Sequence, residues 1–221
     1  MKEGRILGVS GITEYIYWFM GLNLIVVISC LPLAFALLTL QLHPGNSFYF
    51  LIALLPLGAS LQSLYACFEK IKKFQDIYLI KDYFAAYKTN FRKSTLLWGL
   101  TLLILYILLL NLNFLMDTPF FALLFPAYAI LAISLLSSLN ISLVLIATGK
   151  KMAIKTLFTT SFYLSMKRIP LSLLNVFLIF LWLFIIFIRP VLGLGILSSI
   201  FAFMMMKNSE LIVNQRREVQ G

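Results

Sequence analysis

The sequence predicts an all-α, polytopic membrane protein with about six transmembrane helices, both termini cytoplasmic, and two amphipathic helices at the cytoplasmic interface. Three observations predict it. First, 62% of the 221 residues are hydrophobic and only 12% charged, where a soluble domain carries about a quarter charged residues. Second, the apolar runs are continuous, and continuous runs in lipid mean helices; a barrel needs strands of about ten alternating residues. Third, the cations are confined to the gaps between those runs, which sets an orientation.

The spans follow in order. No acidic or strongly basic residue occurs between Glu14 and Glu69, which leaves room for two crossings of about 20 residues each. The turn His43-Pro44-Gly45-Asn46-Ser47 divides them into spans over about 15–42 and 48–68. A third runs over 94–116, a turn at 116–120 follows, and a fourth runs over 120–148. The fifth covers 171–188; Arg189-Pro190 breaks it, and a short sixth covers 191–206. The whole chain, 1–221, reads as a single membrane domain. No cleavable signal is expected, because the first apolar run is too long and has no small-residue cleavage site.

In this arrangement every one of the 18 Lys and Arg residues except Arg189 falls on one side. By the positive-inside rule that side is cytoplasmic. The formal charge of +10 therefore points to a bilayer with an anionic inner leaflet, and not to nucleic acid, because the cations collar apolar runs and do not share one face of a soluble fold. Cys30 and Cys67 lie within apolar runs and are expected to be packed and unpaired.

The internal segments 69–93 and 149–170 are longer than connection requires. In the first, Ile77, Ile80, Phe84, Tyr87 and Phe91 step by threes and fours, with Lys81, Asp82, Lys88 and Arg92 off that stripe. Ile154, Leu157, Phe158, Phe162 and Ile169 do much the same in the second. Basic amphipathic helices of this kind lie in the interface plane. Ile80-Lys81-Asp82-Tyr83-Phe84 matches Ile154-Lys155-Thr156-Leu157-Phe158 at an offset of 74 residues, and each segment ends in a basic pair before a span, the pattern of a repeated unit. These helices serve either as surface padding or as a docking face, and for docking the candidates are Phe84, Tyr87, Asn90, Phe91 and Arg92.

Material for catalysis is scarce. His43 is the one histidine and sits in a turn, the eight acids avoid mid-span positions, and no nucleotide-binding or metalloprotease motif occurs. Neither enzyme activity, a metal nor a cofactor is expected, since acid–base or metal chemistry needs convergent titratable groups. Within the spans the polar residues are amides and hydroxyls. Asn111, Asn113, Ser137 and Asn140 form a candidate polar seam, read either as interhelical hydrogen bonding or as the lining of a route for a small neutral solute. Asp117 and Arg189, the external acid and cation, are candidates for a structural clasp.

The stretches "LPLGASLQSLYACFEKI" (55–71) and "DYFAAYKTNFRKSTLLWG" (82–99) resemble the YesL-like bacterial membrane family, domain of unknown function 624. The likeness rests on the early Asn23, on Pro56-Leu57-Gly58-Ala59 opening the second span, and on the collar Phe84, Tyr87-Lys88, Asn90-Phe91, Lys93-Ser94. "FEKI" departs from a basic–Trp pair that the family often has there. The resemblance implies an integral protein of the bacterial cell membrane, mostly of Gram-positive bacteria, whose relatives are often encoded beside carbohydrate importers of the ATP-binding-cassette type. It carries over no catalytic or binding residue. The expected function is a non-enzymatic accessory protein associated with such an importer's permease subunits; the alternative is a stand-alone permease or channel for a small neutral solute.

Overall fold

Proline decides where these helices begin and end. A computed structural model describes residues 9–41, 43–73, 77–116, 118, 120–150 and 152–218, with side chains described between 13 and 214. Its described residues form helices throughout: α1 Val9–Ser29, α2 Leu31–Thr39, α3 Ser47–Lys72, α4 Leu79–Leu115, α5 Phe121–Ala147, α6 Ile154–Lys167, α7 Ile169–Ile188, α8 Pro190–Gly195 and α9 Ser198–Glu218. Pro32, Pro170 and Pro190 each stand at the first or second position of a helix, where the missing N–H costs nothing and the residue before the ring is pushed out of helical geometry. Pro56 and Pro126 lie inside α3 and α5, as membrane-embedded helices tolerate when neighbours satisfy the freed carbonyls.

Four of these helices, α3, α4, α5 and α7, are long and apolar enough to cross a membrane, and five crossings result if the bent pair α1–α2 counts as one. Three expectations are corrected here. The first span is not one helix: it bends by 69° at Cys30, just ahead of Pro32. The sixth does not run unbroken over 191–206, because α8 ends at Gly195 and α9 starts afresh at Ser198, with a polar second half. The amphipathic segment at 77–91 is no separate interfacial element. It is the beginning of α4, one uninterrupted helix of 37 residues, about 55 Å at 1.5 Å per residue.

The second internal segment does form a helix of its own, α6. The contrast between the two units has a local cause. At the 74-residue offset, Pro170 stands where the first unit has Leu96, so the chain breaks at Arg168 (φ −133°, ψ 61°), whereas nothing interrupts α4.

The core lies among α3, α5, α7 and α9, with Tyr65, Leu143, Trp182 and Met205 buried within it. Helix α4 joins along α3 by a close approach: a Cβ on Gly58 would lie 2.5 Å from Trp98 Cβ. Only 17% of the apolar stretch of α4 is buried, against 67% in α3 and in α5. The α8–α9 break is held by Asn23 from α1, whose amide donates to the Ile196 carbonyl at 2.6 Å and accepts the Ser199 N–H at 2.8 Å. Trp182 Nε1 and the Ser198 hydroxyl donate to the Gly193 carbonyl, so the interrupted backbone keeps partners.

Candidate functional site

Two polar regions stand out, one inside the helix bundle and one at the end where α3 finishes and α4 begins. The inner one contains two of the four seam residues. Tyr65 Oη donates to Asn140 Oδ1 at 2.5 Å, and Asn140 Nδ2 is shared among Ser209 Oγ (2.9 Å), Asn175 Oδ1 (3.2 Å) and the Met205 carbonyl (3.3 Å). Asn175 Nδ2 in turn reaches Ser209 Oγ at 3.1 Å and Ser137 Oγ at 3.4 Å. All five side chains are buried, so four helices are tied together through one hydrogen-bonded cluster. A void of about 20 Å³ adjoins Asn140, between Trp98, Trp182 and Met205, room for about one water. Asn111 and Asn113 are not part of it. They lie exposed on α4, where Asn111 Nδ2 bonds the Ile107 carbonyl of its own helix.

The second region is built on charge. Asp82, in the first turn of α4 and ahead of its apolar stretch, accepts from Lys70 Nζ at 2.7 Å and from the Tyr78 N–H at 3.0 Å. The carboxylate thus stabilises the start of the helix by a bond to a free N–H and by its position at the dipole's positive end. Burial alone would raise its pKa. The Lys70 and Tyr78 hydrogen bonds, with the charges of Lys70 and Lys81, outweigh that and hold it below the usual carboxylate value. Lys72 pairs with Glu210 at 2.9 Å, joining α3 to α9, and Lys73 pairs with Glu69 at 3.1 Å.

Along α4 the aromatics form a ladder. Ring centroids are 5.5 Å apart for Tyr83–Phe84, 6.4 Å for Phe84–Tyr87 and 5.3 Å for Tyr87–Phe91. Tyr83 is fully buried and bonds the Ser60 hydroxyl at 2.6 Å. Of the five docking candidates, Phe84 and Tyr87 are half-buried and packed on the core, while Phe91 and Arg92 are exposed. Asn90 faces another way, into a cleft of about 250 Å³ between α3 and α4 that is also lined by Cys67, Lys70, Asp82, Ala86 and Thr89. The Gln62 amide and Ser94 hydroxyl, one turn beyond the cleft residues Ala66 and Asn90, are buried without a protein hydrogen-bond partner.

The other singled-out residues have plain places. Arg189 is exposed at the end of α7, and its proposed clasp partner Asp117 lies outside the described residues. His43 accepts the Gly45 N–H through Nδ1 at 3.1 Å, a turn contact. Cys30 and Cys67 are free and buried. Among the described residues no group of three or more His, Cys, Asp and Glu is arranged to hold a metal ion.

Sequence reasoning had not placed Tyr65, Asn175 and Ser209 in the seam. Asn175 was visible as an amide within an apolar run, but Ser209 follows Lys207 in a polar stretch and carries no sequence signal of burial. No curated protein and no solved structure matches the chain. Residues 13–112, the stretch from α1 to near the end of α4, match the model of a family described as "Protein of unknown function, DUF624". The stretch that resembles the YesL-like family thus coincides with the part of the chain that matches this model, which contains the α3–α4 cleft and the aromatic ladder.

Proposed function

We propose that the chain is a non-enzymatic accessory protein of the bacterial cell membrane that docks a partner through the exposed basic–aromatic face at the start of α4. The permease of a carbohydrate importer of the ATP-binding-cassette type is the partner that family context favours. The observation that carries the reading is the continuity of α4: Lys88, Phe91 and Arg92 stand exposed on the same uninterrupted helix that enters the apolar zone. A face of this kind is fixed relative to the bundle, so little ordering entropy is lost when a partner binds. The reading includes both termini on the cytoplasmic side, supported by the gathering of Lys70, Lys72, Lys73, Asp82, Lys207 and Glu210 where the end of α3 and the start of α4 meet the middle of α9.

The alternative, a permease for a small neutral solute, has less support. A route past Asn140 would require the bonds among Tyr65, Asn140, Asn175 and Ser209 to open together. The test is purification of the tagged protein from its native membrane in mild detergent, with mass spectrometry of what accompanies it. A stoichiometric importer subunit is expected, lost in the Phe91→Ser/Arg92→Ser double variant while the protein still inserts and melts as the parent does. Phe84 is left in place because it packs on the core. Undiminished co-purification with the double variant, or a protein that purifies alone, overturns the docking reading.

A further inference from the structure

The cleft between α3 and α4 is shaped for part of a lipid. Its volume of about 250 Å³ greatly exceeds the roughly 30 Å³ share of one water, yet it is far too small for a whole phospholipid. What continues from it is the clue. On α4, Asp82, Ala86 and Thr89 line the cleft, and the same three-and-four spacing runs on through Lys93 to Leu96, Leu100, Leu103 and Ile107. Those four apolar residues are all exposed, on the least covered of the membrane-crossing helices. A polar recess therefore opens at the foot of a bare apolar stripe on one helix face.

The charges of the recess narrow the headgroup. Lys70 and Asp82 are paired across it at 2.7 Å, so a headgroup bearing only an anion meets Asp82 and one bearing only a cation meets Lys70. A headgroup with both signs finds a partner for each and leaves no charge unmatched. Among the residues lining the cleft none is aromatic, whereas quaternary ammonium groups are recognised by aromatic cages. The lining offers instead the Asp82 carboxylate, the Asn90 amide and the Thr89 hydroxyl, acceptors that call for an N–H donor. Lys70 keeps 43% of its side chain exposed, and its flexible stem allows it to follow an anionic oxygen.

We propose that this cleft seats the headgroup of a zwitterionic phospholipid with a primary ammonium, of the phosphatidylethanolamine type. Its ammonium meets Asp82 and Asn90, its phosphate meets Lys70, and its acyl chains lie along Leu96, Leu100, Leu103 and Ile107.

The test presents the purified, delipidated full chain with equal amounts of phosphatidylethanolamine, phosphatidylcholine and phosphatidylglycerol of identical acyl chains. Retained lipid is read by native mass spectrometry. The ethanolamine lipid is expected to be retained about tenfold more tightly than either other lipid. Ala85→Trp or Thr89→Trp fills the cleft from an exposed lining position and leaves the ion pair intact. Either variant is expected to erase the preference without moving the melting temperature. Equal retention of the choline lipid, preference for the glycerol lipid, or an ethanolamine preference that survives both variants overturns the proposal. Soluble phosphoethanolamine that competes as well as the lipid overturns the placement of the chains.

Discussion

Asn140 shows how one amide can organise a membrane bundle. It accepts from Tyr65 on α3 and donates toward Asn175 on α7 and Ser209 on α9, so its loss strands several buried groups at once. Asn140→Ala is expected to cost about 1–3 kcal/mol, the penalty for leaving buried polar atoms unpaired. Asn111→Ala is expected to fall within about 0.5 kcal/mol of the parent, as exposed positions do. Thermal unfolding in detergent compares the two, and equal losses would mean the buried cluster is not what holds these helices. The sequence could group Ser137 with Asn140, since both interrupt the same apolar run. It could not exclude Asn111 and Asn113, because a helix apolar on every side has no periodic contrast that distinguishes inside from outside.

At the scale of elements, proline is legible and charge is misleading. The boundary at Lys93-Ser94 reads as a junction between two helices because the composition changes there, yet a change from charged to apolar residues breaks no backbone hydrogen bond. Pro170 does break one, which is why α6 and α7 are separate and α4 is whole. The α8–α9 interruption was only half visible: Pro190 marks a start, but the second start at Ser198 depends on Asn23, which lies 173 residues from its Ile196 partner. Asn23→Asp keeps the shape but cannot donate to that carbonyl. It is expected to lower stability by about 1–3 kcal/mol and to speed amide exchange at residues 196–199. Unchanged exchange there would show that the break holds itself.

For the whole molecule, membrane class was readable at once from composition, and the likeness of residues 13–112 to the family from the collar motif, because neither depends on how the helices pack. The number of crossings was less readable, since a bent helix and a broken one carry the same apolar content as a straight one. Sidedness has a direct check. Gly45 is exposed just ahead of α3, Lys88 is exposed on α4 level with the last turns of α3, and the native Cys30 and Cys67 are buried. Gly45→Cys is expected to react with a membrane-impermeant maleimide on intact cells, and Lys88→Cys only after lysis. Labelling of both from outside, or the reverse order, would refute the assigned orientation.

The meeting of Gly58 with Trp98 has a mechanical consequence. It presses two backbones together near the middle of a rod about 55 Å long, with Phe91 and Arg92 on one arm and the thinly covered Leu103–Asn113 stretch on the other. With Tyr83 buried and Lys70 paired to Asp82, that clamp makes the Phe91 arm and α3 one stiff unit. A load on the arm that bears Phe91 and Arg92 therefore passes to α3 and to the far arm together, with no joint between them to absorb it.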